Sequence, residues 1–125
     1  MSAKLLKVSA GFPSPADDYV EKSLDLNQYL VTNPPATFFI KAEGNSMIGA
    51  GVHSGDILII DRSLSAENGK VIVGAINGEL TLKRFQKKNE RVFLFSENKF
   101  YKPIEITPEL DFSIWGVATY VIHPL

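Results

Sequence analysis

Cysteine is missing from all 125 residues, so neither a disulfide framework nor a thiolate zinc site can be built. No apolar run approaches the roughly 18 to 20 residues of a membrane span. The nearest thing to an export signal is "KLLKVSAG", where Lys4 precedes an apolar patch with Ser9 and Ala10 behind it. Lys7 interrupts that patch and leaves it too short. The expected location is the cytoplasm. Excess charge is lacking too. A formal net charge of -1, with basic clusters only at Lys83 to Lys88 and at Lys4 and Lys7, argues against a protein built to neutralise phosphates. Phosphate-cradling loops are absent, since "GAGVHSGD" has neither G-x-G-x-x-G spacing nor the Lys-Ser/Thr of a P-loop. Histidine is scarce: His53 and His123 show no paired spacing to carboxylates, so the sequence offers no metal site and no evident general base.

What remains suits a single globular domain, at 45% hydrophobic and 22% charged. Residues 1–35 differ in texture from the rest. "GFPSPADD" carries Pro13 and Pro15, which forbid regular helix and favour an extended path, so residues 1–24 read as an arm. Asp25 stands where an N-cap would, ahead of "LNQYL", in which Leu26, Tyr29 and Leu30 fall at helical spacing. One short helix is expected there, ended by Pro34 and Pro35. From residue 36 to 125 the pattern is β. Runs rich in branched and aromatic residues ("TFFIKA", "DILIID", "KVIVGAI", "ELTLKRF", "RVFLFS", "FSIWGVATYVI") recur every 8 to 12 residues or so, as in a small barrel or sandwich of short strands. Asn77-Gly78 is a favoured two-residue hairpin turn, which folds residues 70–76 back onto 79–85.

The stretch "AEGNSMIGAG" places Ser46 between Asn45 and Met47 with glycines on both sides, directly after an apolar run. It reads either as a plain turn leaving a strand or as a nucleophile held at the start of a helix. The hydrolase elbow is excluded, because it needs glycine two residues after the serine and Ile48 stands there. A nucleophilic Ser46 would need another base, and a lysine serves if it is uncharged. Free lysine titrates near ~10.4, and burial lowers that by up to about 3 to 5 units. On "ELTLKRF", alternation puts Thr81, Lys83 and Phe85 on one face, so Lys83 has neighbours that would desolvate it. Strand lysines are more often solvated edge residues, and periodicity alone leaves both readings open.

The segment from Phe38 to Leu64, followed by "NGKVIVGAINGELTLKRF", resembles the self-cleaving serine proteases that include the LexA repressor and the UmuD-type SOS mutagenesis proteins. Gly44, Ser46 and Met47 match the family's G-x-S-M, Gly55 and Asp56 its downstream G-D, and Thr81 and Lys83 its T-x-K hairpin, in order. The likeness runs from about Gly11 to Val121. "AGFPSPADDYVE", "LDLNQYL" and "SIWGVATYVI" bring it nearest the UmuD type. LexA and the phage repressors carry a helix-turn-helix domain ahead of the protease core, for which the stretch before Thr37 offers no room.

The resemblance implies a mainly β protease core (36–125) behind an extended N-terminal arm (1–35). It implies a Ser46/Lys83 dyad with Lys83 as base, an oxyanion site at the backbone N–H groups of Asn45 and Ser46, and a scissile Ala10-Gly11 bond. It further implies a homodimer, cleavage favoured by a RecA filament on single-stranded DNA, and a trimmed form that joins a UmuC-like Y-family translesion polymerase subunit. No cofactor, metal, membrane or strong direct DNA binding is implied. Trp115 and Tyr120 suit either an interface or a core. The rival readings are a non-enzymatic dimeric module for a polymerase and the protease part of a phage-type repressor. A signal-peptidase-like enzyme shares the Ser/Lys chemistry but needs an anchor.

Overall fold

The computed structural model describes residues 3–8, 10–11 and 20–125, and the chain divides into two compact units, Met1–Thr32 and Asn33–Leu125.

In the first unit, strand β1 (Ala3–Leu6) pairs antiparallel with β2 (Val20–Leu24), from Ala3 opposite Leu24 to Leu6 opposite Val20. The stretch read as an arm thus holds a two-stranded sheet of its own. Its partners are distant in sequence, and no tight-turn signal links them. The extended path expected at Pro13 and Pro15 lies outside the described residues. The short helix is present as α1 (Leu26–Leu30), because the Asp25 side chain accepts hydrogen bonds from the backbone N–H groups of Asn27 and Gln28.

The second unit is one seven-stranded antiparallel sheet, so the mainly β reading of the sequence is borne out. Its strands are β3 (Thr37–Lys41), β4 (Ile57–Asp61), β5 (Val71–Ile76), β6 (Glu79–Lys88), β7 (Arg91–Phe95), β8 (Ile104–Ile106) and β9 (Phe112–Ile122), in the spatial order β3-β4-β9-β5-β6-β7-β8. Pro34–Ala36 adds a 3-10 turn before β3. Asn77 and Gly78, both at positive φ, close the β5–β6 hairpin with Ile76 opposite Glu79. Asn89 and Glu90, also at positive φ, do the same for β6 and β7.

The apolar runs become strands because both faces of the central ones are covered. On β5, Val73 packs with Met47, Val52, Leu58 and Ile60, whereas its neighbour Ile72 packs with Phe85, Leu94 and Val117. A strand buried on both faces reads as continuous branched residues, as "VIVGAI" does. The last strand, β9, lies between β4 and β5, with register shifts opposite Ile59/Ile60 and Val73/Gly74. This puts the strand pair leading to Ser46 on one side of β9 and the hairpin carrying Lys83 on the other.

Candidate active site

Ser46 lies in the loop joining β3 to β4. Two backbone bonds pinch the base of that loop: Ala42 N–H to Asp56 O and Gly55 N–H to Ala42 O, both 2.8 Å. Inside it, Gly44 takes φ +84°, a left-handed conformation that side chains rarely adopt, so glycine at the first position of the G-x-S-M match has a backbone reason. Met47, 3% exposed, and Val52 anchor the loop in the core. No α-helix starts after Ser46. Ile48–Ala50 is one 3-10 turn, and Gly51 ends it in the left-handed region. The cause lies across the chain: Gly49 N–H donates to Glu97 O at 2.7 Å, an approach so close that a Cβ on Gly49 would sit 2.6 Å from that oxygen. The turn is spent on a tertiary contact rather than continued as a helix.

Residues 97–101 grip the serine loop at two further points. Asn98 Nδ2 donates to Asn45 O at 2.9 Å, and the Tyr101 hydroxyl donates to Asn45 Oδ1 at 2.8 Å. Arg84, beside Lys83 on β6, pairs with Glu97. Among the described residues, nothing accepts from the backbone N–H groups of Asn45 or Ser46, and the Ile48 N–H turns back to Asn45 O. The Asn98 and Tyr101 contacts were missed in the sequence because "SENKFY" lies outside every strand and carries no motif.

Lys83 comes from β6, and the structure brings it to Ser46 across 37 residues of sequence. Its Nζ is 3.0 Å from Ser46 Oγ and 3.2 Å from Leu82 O. Only 8% of the residue is exposed, and burial pushes the ammonium below the ordinary lysine value. The open choice between solvated edge lysine and desolvated lysine is therefore resolved for the desolvated one. Ser46 and Lys83 line a cleft of about 420 Å³ whose walls include Ile40, Ala42, Leu82 and Tyr101. Thr81 also faces it, and the φ +95° at Gly55 gives the G-D glycine its conformational reason.

Asp56, the other half of G-D, is 2% exposed. Burial alone would raise its carboxyl. The hydrogen bond with His123 Nδ1 at 2.6 Å, the bond from the His53 backbone N–H at 2.7 Å, and the two imidazoles together hold it below its usual range. The two histidines stack with ring centres 4.5 Å apart. Spacing hid this meeting, because it depends on β4 pairing with β9, where Ile57 stands opposite Ile122.

Ala10 and Gly11 belong to the first unit, where both are exposed in a bend. Trp115 and Tyr120 are partly exposed on β9, with Trp115 edge-on to Phe38.

The family model described as Peptidase S24-like matches residues 4–119. The chain is 41% identical over 123 residues to Protein ImpA of Escherichia coli, a match that covers 94% of this chain and 79% of that protein. Against Protein MucA of Salmonella typhimurium it is 40% identical over 124 residues, covering 97% and 84%. It is 38% identical over 118 residues to the LexA repressor of Shewanella piezotolerans, covering 94% of this chain and 57% of the repressor. The likeness to UmuD-type proteins within the LexA-like proteases is thereby borne out.

Proposed function

Because this chain belongs to the Peptidase S24-like family, we propose that it is a serine peptidase that cuts its own Ala10-Gly11 bond through a Ser46/Lys83 dyad. The observation that carries this reading is the 3.0 Å separation between Ser46 Oγ and the Nζ of a lysine whose charged form burial disfavours.

The neutral amine has one lone pair and two hydrogens. One hydrogen directed at Leu82 O fixes the rotamer, and the lone pair then faces the Ser46 hydroxyl. Lys83 takes the Ser46 proton as Oγ attacks the Ala10 carbonyl carbon. The negative oxygen that forms is met by the backbone N–H groups of Asn45 and Ser46. The Ala10–Gly11 C–N bond then breaks, the Lys83 proton passes to the Gly11 nitrogen, and residues 1–10 remain as an ester on Ser46. Water, deprotonated by Lys83, hydrolyses that ester and restores the serine. A tethered substrate replaces encounter by a high effective concentration, so the rate depends on how often the scissile segment occupies the cleft.

Membership among relatives of the ImpA and MucA kind supports the remaining steps. A RecA filament on single-stranded DNA favours cleavage, and the trimmed homodimer serves as accessory subunit of an error-prone Y-family translesion polymerase in the SOS response. The deciding experiment is to incubate the purified chain at alkaline pH, and separately with RecA filaments, and to weigh the products. Loss of residues 1–10 is expected. An intact mass under both conditions would favour a non-enzymatic interaction module instead.

A further inference from the structure

His53, Asp56 and His123 take no part in the proposed cleavage, yet they are built into one cluster. Asp56 sits just before β4, His53 three residues earlier in the same loop, and His123 just past the end of β9. One nitrogen from each ring and one carboxylate oxygen lie within 4.8 Å of one another. His123 Nδ1 is 2.6 Å from Asp56 Oδ1, and His53 Nδ1 is 3.8 Å from Asp56 Oδ2. The carboxylate is buried, whereas the His53 and His123 side chains are 46% and 41% exposed. The anionic ligand is thus fixed from within, and the two neutral ligands border on solvent.

We propose that His53, Asp56 and His123 form a binding site for one divalent transition-metal ion of the zinc type. Two imidazoles and a carboxylate are a donor set that such ions take, with water completing the shell. Magnesium and calcium prefer all-oxygen shells and are poorly served by it. Donors in a tetrahedral shell, at bonds of about 2.0 to 2.2 Å, stand about 3.3 to 3.6 Å apart. A separation of up to 4.8 Å therefore has to close by a little over an ångström, and the 2.6 Å pair of His123 Nδ1 and Asp56 Oδ1 has to open, movements that rotation of the two half-exposed imidazoles can supply. A metal would take the place of the proton that His123 Nδ1 shares with Asp56 Oδ1; in a neutral ring that proton moves to Nε2, which frees the Nδ1 lone pair for the ion. The bound ion would tie the end of β9 to the loop that carries Ser46. The site does not depend on the peptidase reading, since none of its three residues belongs to the dyad.

Calorimetric titration of the full chain with zinc chloride, and separately with magnesium chloride, tests the assignment. One zinc ion per chain with micromolar or tighter affinity is expected, together with no saturable magnesium binding. His53→Ala and His123→Ala should each weaken zinc by about tenfold or more, as loss of a metal-site partner does. Both replace half-exposed side chains, and metal-free melting curves verify that they fold. Zinc should raise the melting temperature of the natural chain and leave the double variant unmoved. Zinc binding of undiminished strength in the double variant would overturn the proposal. So would the absence of saturable zinc binding, or a preference for magnesium.

Discussion

Lys83 stands directly opposite Ile72 in the β5–β6 ladder, and Ile72 is wholly buried. Paired residues in an antiparallel ladder share a face, so the lysine stem is packed beside a core side chain and its ammonium loses water. The folded-state value is depressed, and the amine form becomes available as pH rises through it. Cleavage should therefore speed up from about pH 7 toward about pH 10 and level off once Lys83 is neutral. Lys83→Arg should be inactive throughout, because arginine keeps its proton. Mass-resolved time courses check both, and a flat profile or an active arginine variant would remove Lys83 from the base role.

The same depression bears on stability. Between the lowered folded value and the unfolded value near ~10.4, the unfolded chain binds more protons at Lys83 than the folded one, so this group's contribution makes stability rise with pH across that window. Urea melts compared between the natural chain and Lys83→Met should show this slope in the former and its loss in the latter.

Ser46→Ala removes one hydroxyl from a loop anchored by Met47 and Val52. It should abolish self-cleavage and cost only about 1 kcal/mol of stability, the ordinary worth of one hydrogen bond, since the Lys83 amine keeps its bond to Leu82 O. Persistent release of residues 1–10 by that variant would show that another group attacks.

Tyr101→Phe deletes the hydrogen bond to Asn45 Oδ1 and leaves the ring in the cleft wall. A stability cost of about 1 kcal/mol is expected from the lost bond. If the bond positions the serine loop, the cleavage rate should fall by about tenfold or more, beyond what that destabilisation accounts for. Single-turnover rates at a temperature where both proteins are fully folded separate the two effects, and equal rates would mean that the clamp is structural only.

Gly49→Ala drives a methyl to 2.6 Å from Glu97 O. The turn must back away from residues 97–101, at a cost of about 1 to 3 kcal/mol, and cleavage should slow along with it. Thermal melts and cleavage assays on one preparation test this. An unchanged melting temperature would mean that the loop yields without resistance.

Light scattering at micromolar concentration tests the homodimer. Trp115 is 42% exposed and shares β9 with the exposed Ile114 and Ile122, apolar surface that a second copy could cover. A solution mass of about twice the chain is expected, and a mass near 13.8 kDa would refute it.

Most of the sheet was legible in the sequence because its signals are local. Alternation marked β6, branched runs marked β4 and β5, and Asn77-Gly78 marked the β5–β6 hairpin. β8 was not legible: three residues, Ile104–Ile106, are too few for a period to register, and pairing with β7 is what makes them a strand. The meeting of Ser46 with Lys83 was legible only through motif order. The chemistry around it was not, because Asn98, Tyr101 and Glu97 act through a loop whose sequence has no pattern. The choice between a turn and a helix start at Ser46 was undecidable for a related reason, since glycine at 49 answers to a carbonyl 48 residues further on. The His53–Asp56–His123 cluster required knowing that β9 returns to lie against β4.

That return has a consequence for the order in which the molecule comes into being. β9 is synthesised after every other strand of the sheet, yet it is the plank between β4 and β5. While the chain is emerging from the ribosome, the β3–β4 pair with its serine and the β5–β6 hairpin with its lysine can each form. They have no common neighbour to hold them in one sheet until residues 112–122 arrive. Until then the serine loop and the Lys83 strand are linked through loop contacts such as those of residues 97–101, and the final strand is what fixes them in one sheet.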